Sequence, residues 1–262
     1  MKKAYLILYI LVTATLFLTG CGSSKKVVYF QNADDVSLEA SRMLYDAKIM
    51  PKDLLSISIY TTDPEASAPF NLFVAASQGA TQSSARSNEY LVDNEGNIEF
   101  PVLGKLHVGN MTKSQCQDMI VDKLKAYLAK DEKPIVKVGL ASYRVTVLGE
   151  VAVPKVVPVT TEKMSVLEAI AMAGDLTIYG KRDNVLLIRE SSTGEKTMHR
   201  LDLTDANLIN SPYYYLQQND VVYVEPNKTK ARNSGISTST TIWLTVVSSL
   251  TSLASLIISI TR

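Results

Sequence analysis

The sequence of 262 residues predicts an α+β protein, with two small α+β units in tandem followed by one C-terminal amphipathic transmembrane helix. Three observations carry this. Short alternating apolar runs recur from residue 45 to residue 226, two capped helices interrupt them at corresponding places, and Ile242 to Ile260 is apolar without a charge.

Residues 1–21 read MKKAYLILYILVTATLFLTGC. Lys2 and Lys3 precede an apolar run from Ala4 to Leu18, and small residues lead into Cys21, the layout of a secretory signal that takes no part in the fold. Leu18-Thr19-Gly20-Cys21 resembles the bacterial lipobox, which implies cleavage after residue 20, lipidation of Cys21 and a place outside the cytoplasm. The alternative is an uncleaved anchor helix with an incidental cysteine. Each buried lipid methylene contributes about 0.8 kcal/mol, so with several lipid chains on one cysteine the protein needs no second segment merely to stay attached.

Loss of residues 1–20 removes Lys2 and Lys3 and no acid, which leaves 25 basic against 26 acidic residues, a net charge of −1. That balance, without a basic block, gives no reason to expect nucleic acid. With Cys21 lipidated, Cys116 has no disulfide partner, and its place on an apolar helix face marks it as a buried small hydrophobe. His107 and His199 lack a second ligand at metal spacing, and no nucleophile elbow, phosphate loop or dinucleotide turn is present. No cofactor is expected, and nothing asks for an enzyme.

After a linker over 21–44, the first unit spans 45–140. Leu55, Ile57 and Ile59 alternate with Ser56, Ser58 and Tyr60, a half-buried strand launched by the turn Pro51-Lys52-Asp53. Residues 64–88 read as an irregular insertion. A strand, an Asp93-Asn94-Glu95-Gly96 turn and two short strands follow. Thr112 and Gln115 then form a capping box for a helix that aligns Cys116, Met119, Ile120, Leu124, Tyr127 and Leu128.

The second unit, 141–226, repeats the plan. Two strands joined through Gly149 and Pro154 lead to a capping box at Ser165 and Glu168, and the short helix stops at Gly174. Strands at NVLLIRE and KTMHRLDL flank the turn Ser192-Thr193-Gly194-Glu195. Finally, Asn219-Asp220-Val221-Val222 echoes Lys52-Asp53-Leu54-Leu55. Each unit is expected to pack a helix on a mixed sheet.

The stretches PKDLLSI, GNIEFPVLGKLHVGNMT, VTVLGEVAVP, VLEAIAMAGDLT and NDVVYV, in this order, resemble the polysaccharide export family of Wza-like outer-membrane lipoproteins. The first unit is similar to that family's export domain and the second to its SLBB β-grasp domain. Where the family has Pro-Gly-Asp, Pro-Gly and Ala-Gly-Gly, this chain has Pro51-Lys52-Asp53, Pro154-Lys155 and Ala173-Gly174-Asp175. The lost glycines predict turns without positive φ.

A linker at 227–240 leads to the terminal helix, 241–262. Ile242 to Ile260 is 19 residues, which as a helix spans roughly 30 Å. Thr241, Thr245, Ser248, Ser252, Ser255 and Ser259 fall in one arc. Trp243, Val246, Val247, Leu250, Leu253 and Ile257 lie opposite, while Leu244 and Leu256 intrude at the edges. The hydroxyl stripe should face protein or water, either lining a pore between several copies or packing helices closely.

The resemblance implies a ring-shaped homo-oligomer, typically an octamer, whose terminal helices form a barrel through the outer membrane. It also implies a capsular polysaccharide or exopolysaccharide as substrate and an inner-membrane polysaccharide copolymerase, often a tyrosine autokinase, as partner. The soluble units would stand in the periplasm, held by lipid in the outer membrane of a Gram-negative bacterium. The alternative is a lipid-anchored periplasmic glycan-binding module with a simple helical tail, using Tyr213-Tyr214-Tyr215 as stacking faces, although these tyrosines also suit a strand with one buried face.

Overall fold

A computed structural model describes residues 27–37, 46–72, 88–161, 163–235 and 238–260, without the side chains of 234–241, 244, 254 and 257–260. Cys21 lies outside the described residues.

The first core forms around β1 (Leu54–Tyr60), whose alternation buries Leu55, Ile57 and Ile59 as expected. After β1, α1 (Pro64–Ser67) is a single helical turn at the start of the stretch expected to be irregular, capped where Asp63 accepts from the Glu65 N–H. β2 (Glu89–Leu91) pairs with one edge of β1, while β3 (Asn97–Phe100) and β4 (Gly104–His107) form a separate hairpin. The Asp93–Gly96 turn therefore joins two sheets. Asp93 organises it by accepting from the Glu95 and Asn97 N–H groups at 2.9 and 2.7 Å.

α2 (Lys113–Leu124) starts at the expected reciprocal box. Thr112 Oγ1 accepts from Gln115 N and Gln115 Oε1 accepts from Thr112 N. Its Cys116, Ile120 and Leu124 are buried, and burial pushes the Cys116 thiol up to about 12. Tyr127 does not continue that buried face; the helix ends before it and it is exposed, edge-on to Phe70. β5 (Ile135–Leu140) completes a β2-β1-β5 sheet with Ile57 opposite Val138 and Ile59 opposite Val136, all facing inward. This sheet is wholly antiparallel, not mixed, since β1 runs antiparallel both to β2 and to β5, which returns to its other edge after α2.

Ala141–Tyr143 carries the chain into the second unit. The Leu54 carbonyl accepts from Ala141 N at 2.8 Å, and the Ser142 hydroxyl accepts from Leu54 N and from Gln218 Nε2. β6 (Arg144–Gly149) and β7 (Lys155–Pro158) form a hairpin, followed by α3 (Val166–Met172). The Ser165–Glu168 box caps α3. At its other end Gly174 N donates to Ala171 O and Asp175 N to Ile170 O, closing a left-handed cap at Gly174 with φ 81°. β8 (Gly180–Glu190), β9 (Lys196–Leu201) and β10 (Val221–Pro226) complete a five-stranded sheet in the order β7-β6-β10-β8-β9. Here the sheet is mixed, since β10 runs parallel to β6 and antiparallel to β8.

The echo between the two units is physical. Asp53 Oδ2 accepts from Met50 N at 2.8 Å and Asp220 Oδ2 from Gln217 N at 2.6 Å, each closing the turn before a central strand. The residue before each aspartate is left-handed, with φ 72° at Lys52 and 63° at Asn219. The expectation of turns without positive φ is thus overturned at Lys52 and at Asp175, where φ is 71°. The turn hydrogen bonds hold these L-residues where a glycine would sit without steric cost. Lys155 shows no such strain.

One glycine is irreplaceable. Gly149 has φ 91°, and a Cβ there would stand 2.1 Å from the Val224 carbonyl oxygen on the neighbouring central strand. Gly149→Ala should therefore lower unfolding free energy by about 3 kcal/mol or more in urea denaturation of the detergent-solubilised protein.

Unlike Asp220, Asp53 has no cation beside it among the described residues, and its Oδ1 is buried without a partner among them. Burial raises its carboxyl from 3.8 to about 6, so the folded chain holds a proton that the unfolded chain has lost between these values. Its contribution to stability should fall as pH rises from about 4 to about 6, by roughly 3 kcal/mol. Asp53→Asn should remove that component from denaturation curves measured across the window.

Candidate functional site

β10 begins beside the first unit and ends, about 20 Å further, at the opposite pole of the second domain. Its parallel neighbour β6 also ends there at Gly149, and its antiparallel neighbour β8 starts there at Gly180. The chain leaves the sheet at this pole. Asn227 N donates to Tyr179 O at 2.7 Å, and the Asn227 carboxamide caps α4 (Lys228–Gly235) by accepting from Thr229 N and Lys230 N at 3.0 Å. Only two residues separate α4 from α5 (Thr238–Ile260).

The N-terminal stretch reaches the same pole. Phe30 N donates to Leu203 O and Gln31 N to Thr204 O, while the Tyr29 hydroxyl bonds to Asp175. Cys21 stands eight residues before Tyr29. The stretch expected as a linker thus docks, at 27–32, on the second domain. Arg182 ties it to the exit loop: its buried guanidinium donates to the Leu176, Thr177 and Gly180 carbonyls and lies 5.4 Å from the Tyr29 ring.

α5 is a helix of 23 residues, 11 of them Ser or Thr. Trp243, Val246, Val247, Leu250 and Leu253 are all exposed, so the chain itself covers none of the expected lipid-facing residues whose side chains are described. On the other arc, Thr245, Ser248, Ser252 and Ser255 are also exposed. Ser248 Oγ donates to Thr245 O at 2.9 Å and Ser252 Oγ to Ser248 O at 2.9 Å. Each such hydroxyl spends its proton on the helix and keeps lone pairs for an outside donor. The side chains of Thr241, Ser259 and Ile257 lie outside the described residues. Among the described residues no helix is long and apolar enough to cross a membrane.

Elsewhere the candidates are occupied by structure. Tyr213–Tyr215 do not form a strand: Tyr213 stacks on His199 at 3.8 Å with Arg189 5.7 Å from its ring, Tyr214 and Tyr215 meet edge to face, and Lys163 lies over Tyr215. Arg189 also grips buried Asp220 at 2.7 Å. His107 contacts Asn97 at 3.1 Å. Between the two units lies a polar cleft of about 480 Å³ lined by Lys52, Asn94, Ser191, Thr193 and Asn219. Reading the residues in order missed the shared exit pole, because the contacts that build it lie far apart in sequence. The acid-free run Lys228-Thr229-Lys230-Ala231-Arg232 was its one local signal.

Arg182→Ala should remove a donor from the Leu176, Thr177 and Gly180 carbonyls, of which Thr177 keeps the Gly180 N–H, cost roughly 2–4 kcal/mol and release Tyr29. Hydrogen exchange should then quicken at 28–31 and 176–180 together; unchanged protection at 28–31 would show that Arg182 does not hold that stretch.

The sequence matches the family model for polysaccharide biosynthesis/export proteins over residues 42–141 and that for the SLBB domain over 143–224. It is 28% identical over 226 residues to the EPS I polysaccharide export outer membrane protein EpsA of Ralstonia nicotianae, covering 82% of this chain and 56% of that protein. The protein of the same description from Ralstonia solanacearum is 27% identical over 202 residues, covering 76% and 52%. The chain thus spans about half the length of the curated relatives it matches. Two adjoining matches, over well over half of the sequence and in the order of its motifs, show that this chain belongs to the polysaccharide export family, with an export domain followed by an SLBB domain.

Proposed function

We propose that this chain is a subunit of an outer-membrane channel that carries capsular polysaccharide or exopolysaccharide from the periplasm to the cell surface. Cys21 is lipidated, and several copies, eight by family resemblance, close into a ring. In it α5 crosses the membrane, with Thr241, Thr245, Ser248, Ser252, Ser255 and Ser259 toward a wet centre. Trp243, Val246, Val247, Leu250, Leu253 and Ile257 meet lipid. An inner-membrane copolymerase docks from the periplasmic side.

The observation that carries this reading is a charge-free, two-faced helix delivered directly from export-family domains. In a barrel only the outer half of each helix meets hydrocarbon, so apolarity is needed on one face rather than all round. Hydroxyls already bonded to their own backbone face water without an unmet donor and still accept from sugar hydroxyls. They also add no fixed charge to trap a hydrated chain. The relatives' descriptions as polysaccharide export outer membrane proteins support the substrate and the membrane. The glycan-binding alternative loses support because all three tyrosines are engaged within the chain.

Mild-detergent extraction of the full-length lipoprotein, beside a chain stopped after Thr240, tests the proposal through particle mass and shape. A large closed ring is expected, with transmembrane density lost on truncation. A monomer or dimer in both samples, under conditions that preserve known membrane rings, contradicts it.

A further inference from the structure

We propose that the exit pole of the second domain is a docking surface for anionic glycerophospholipid headgroups, formed by exposed Ile178 and Val153 beside Lys228 and Arg232. This rests on the membrane reading of Cys21 and α5 and names the lipid contact made by the soluble domain itself.

The first ground is where the chain ends lead. The stretch that follows Cys21 docks at Asp175 and Leu203, and α4 leaves at Asn227, so both proposed membrane attachments depart from one pole. The eight residues from Cys21 to Tyr29 reach at most about 29 Å, which keeps Tyr29 and its neighbours within that distance of the anchored lipid. The second ground is the chemistry of that pole. Ile178 is 70% exposed and Val153 56%, on loops held together where Thr177 N donates to Glu150 O and Val153 N to Ala173 O. Both are aliphatic side chains held out on fixed loops at the pole from which the chain departs.

The third ground is charge. α4 contains Lys228, Lys230 and Arg232 and no acid. Lys230 turns back to Glu150 at 3.4 Å and lies over the Tyr179 ring, whereas Lys228 and Arg232 stand on the exposed surface. Of the neighbouring acids, Glu225 is paired with Lys181 and Arg200, Asp175 accepts from the neutral Tyr29 hydroxyl, and Asp183 stands exposed at the start of β8. Aliphatic tips flanked by cations match the boundary between phosphate headgroups and acyl chains, where each Lys or Arg strengthens association about fivefold.

The full-length lipidated protein, reconstituted in phosphatidylethanolamine/phosphatidylglycerol vesicles, allows a test by site-specific labelling. With Cys21 acylated and Cys116 buried, a thiol fluorophore reports only an added cysteine. Co-flotation with the vesicles, measured first, tests the membrane reading separately. Labels at Ile178→Cys and Val153→Cys should be quenched by headgroup spin-labelled lipid. A label at Glu195→Cys, on the far turn roughly 35 Å away along β8, should not be quenched.

Combining Lys228→Glu with Arg232→Glu should cut quenching at 178 by roughly half or more, and phosphatidylcholine vesicles should show the same loss. Equal quenching at 178, 153 and 195 overturns the proposal, as does indifference to lipid charge. Self-quenching between labels at 178 without spin-labelled lipid assigns this face to a neighbouring copy and also overturns it. Proximity is read whether or not the particles form rings, so a failed docking site and a failed channel give different results.

Discussion

Strand β10 is the constraint on which the rest of the molecule depends. It is the centre of the five-stranded sheet, bonded on both sides. At its start Asp220 is clamped by Arg189, and near its end the backbone of Gly149 lies against Val224 with no room for a side chain. A central strand secured along its whole length is a rigid lever. Because Asn227 passes the chain directly from β10 into α4, the direction of the strand sets the pole from which the terminal helix departs.

The first domain stands at the other end of that lever. Ser142 and Gln218 bond the start of β6 and the turn before β10 to the start of β1, and Leu140 packs against both cores. The two aspartate turns meet across the polar cleft at this junction. A chain built this way has the exit pole, the five-stranded sheet and the first domain in linear order. The Asp220 turn has its arginine and the Asp53 turn does not, although burial raises both carboxyls.

Local rules were legible wherever their partners are close in sequence. The alternation of Leu55, Ile57 and Ile59, both capping boxes and the stop at Gly174 all follow from neighbours within a few residues. Lys52 and Asp175 escaped because a turn's hydrogen bonds can force an L-residue into left-handed backbone that its own side chain does not favour. The antiparallel first sheet and the separate β3–β4 hairpin escaped because pairing partners are chosen over distances that periodicity does not register. Tyr213 to Tyr215 alternate in name only; His199, Arg189 and Lys163 decide where their rings rest. For the terminal helix the two faces were readable from spacing alone, since they follow from helical geometry. What each face meets lies outside the chain and is not encoded in that spacing.

The central claim is that the hydroxyl arc of α5 borders water while the opposite arc borders lipid. Single cysteines along Thr245–Leu256, probed in intact cells with a membrane-impermeant thiol reagent, test it most directly, since buried Cys116 stays silent. The account predicts reaction at 245, 248, 252 and 255 and protection at 246, 250 and 253. Uniform reaction, uniform protection or the reversed pattern would contradict a pore lined by this stripe.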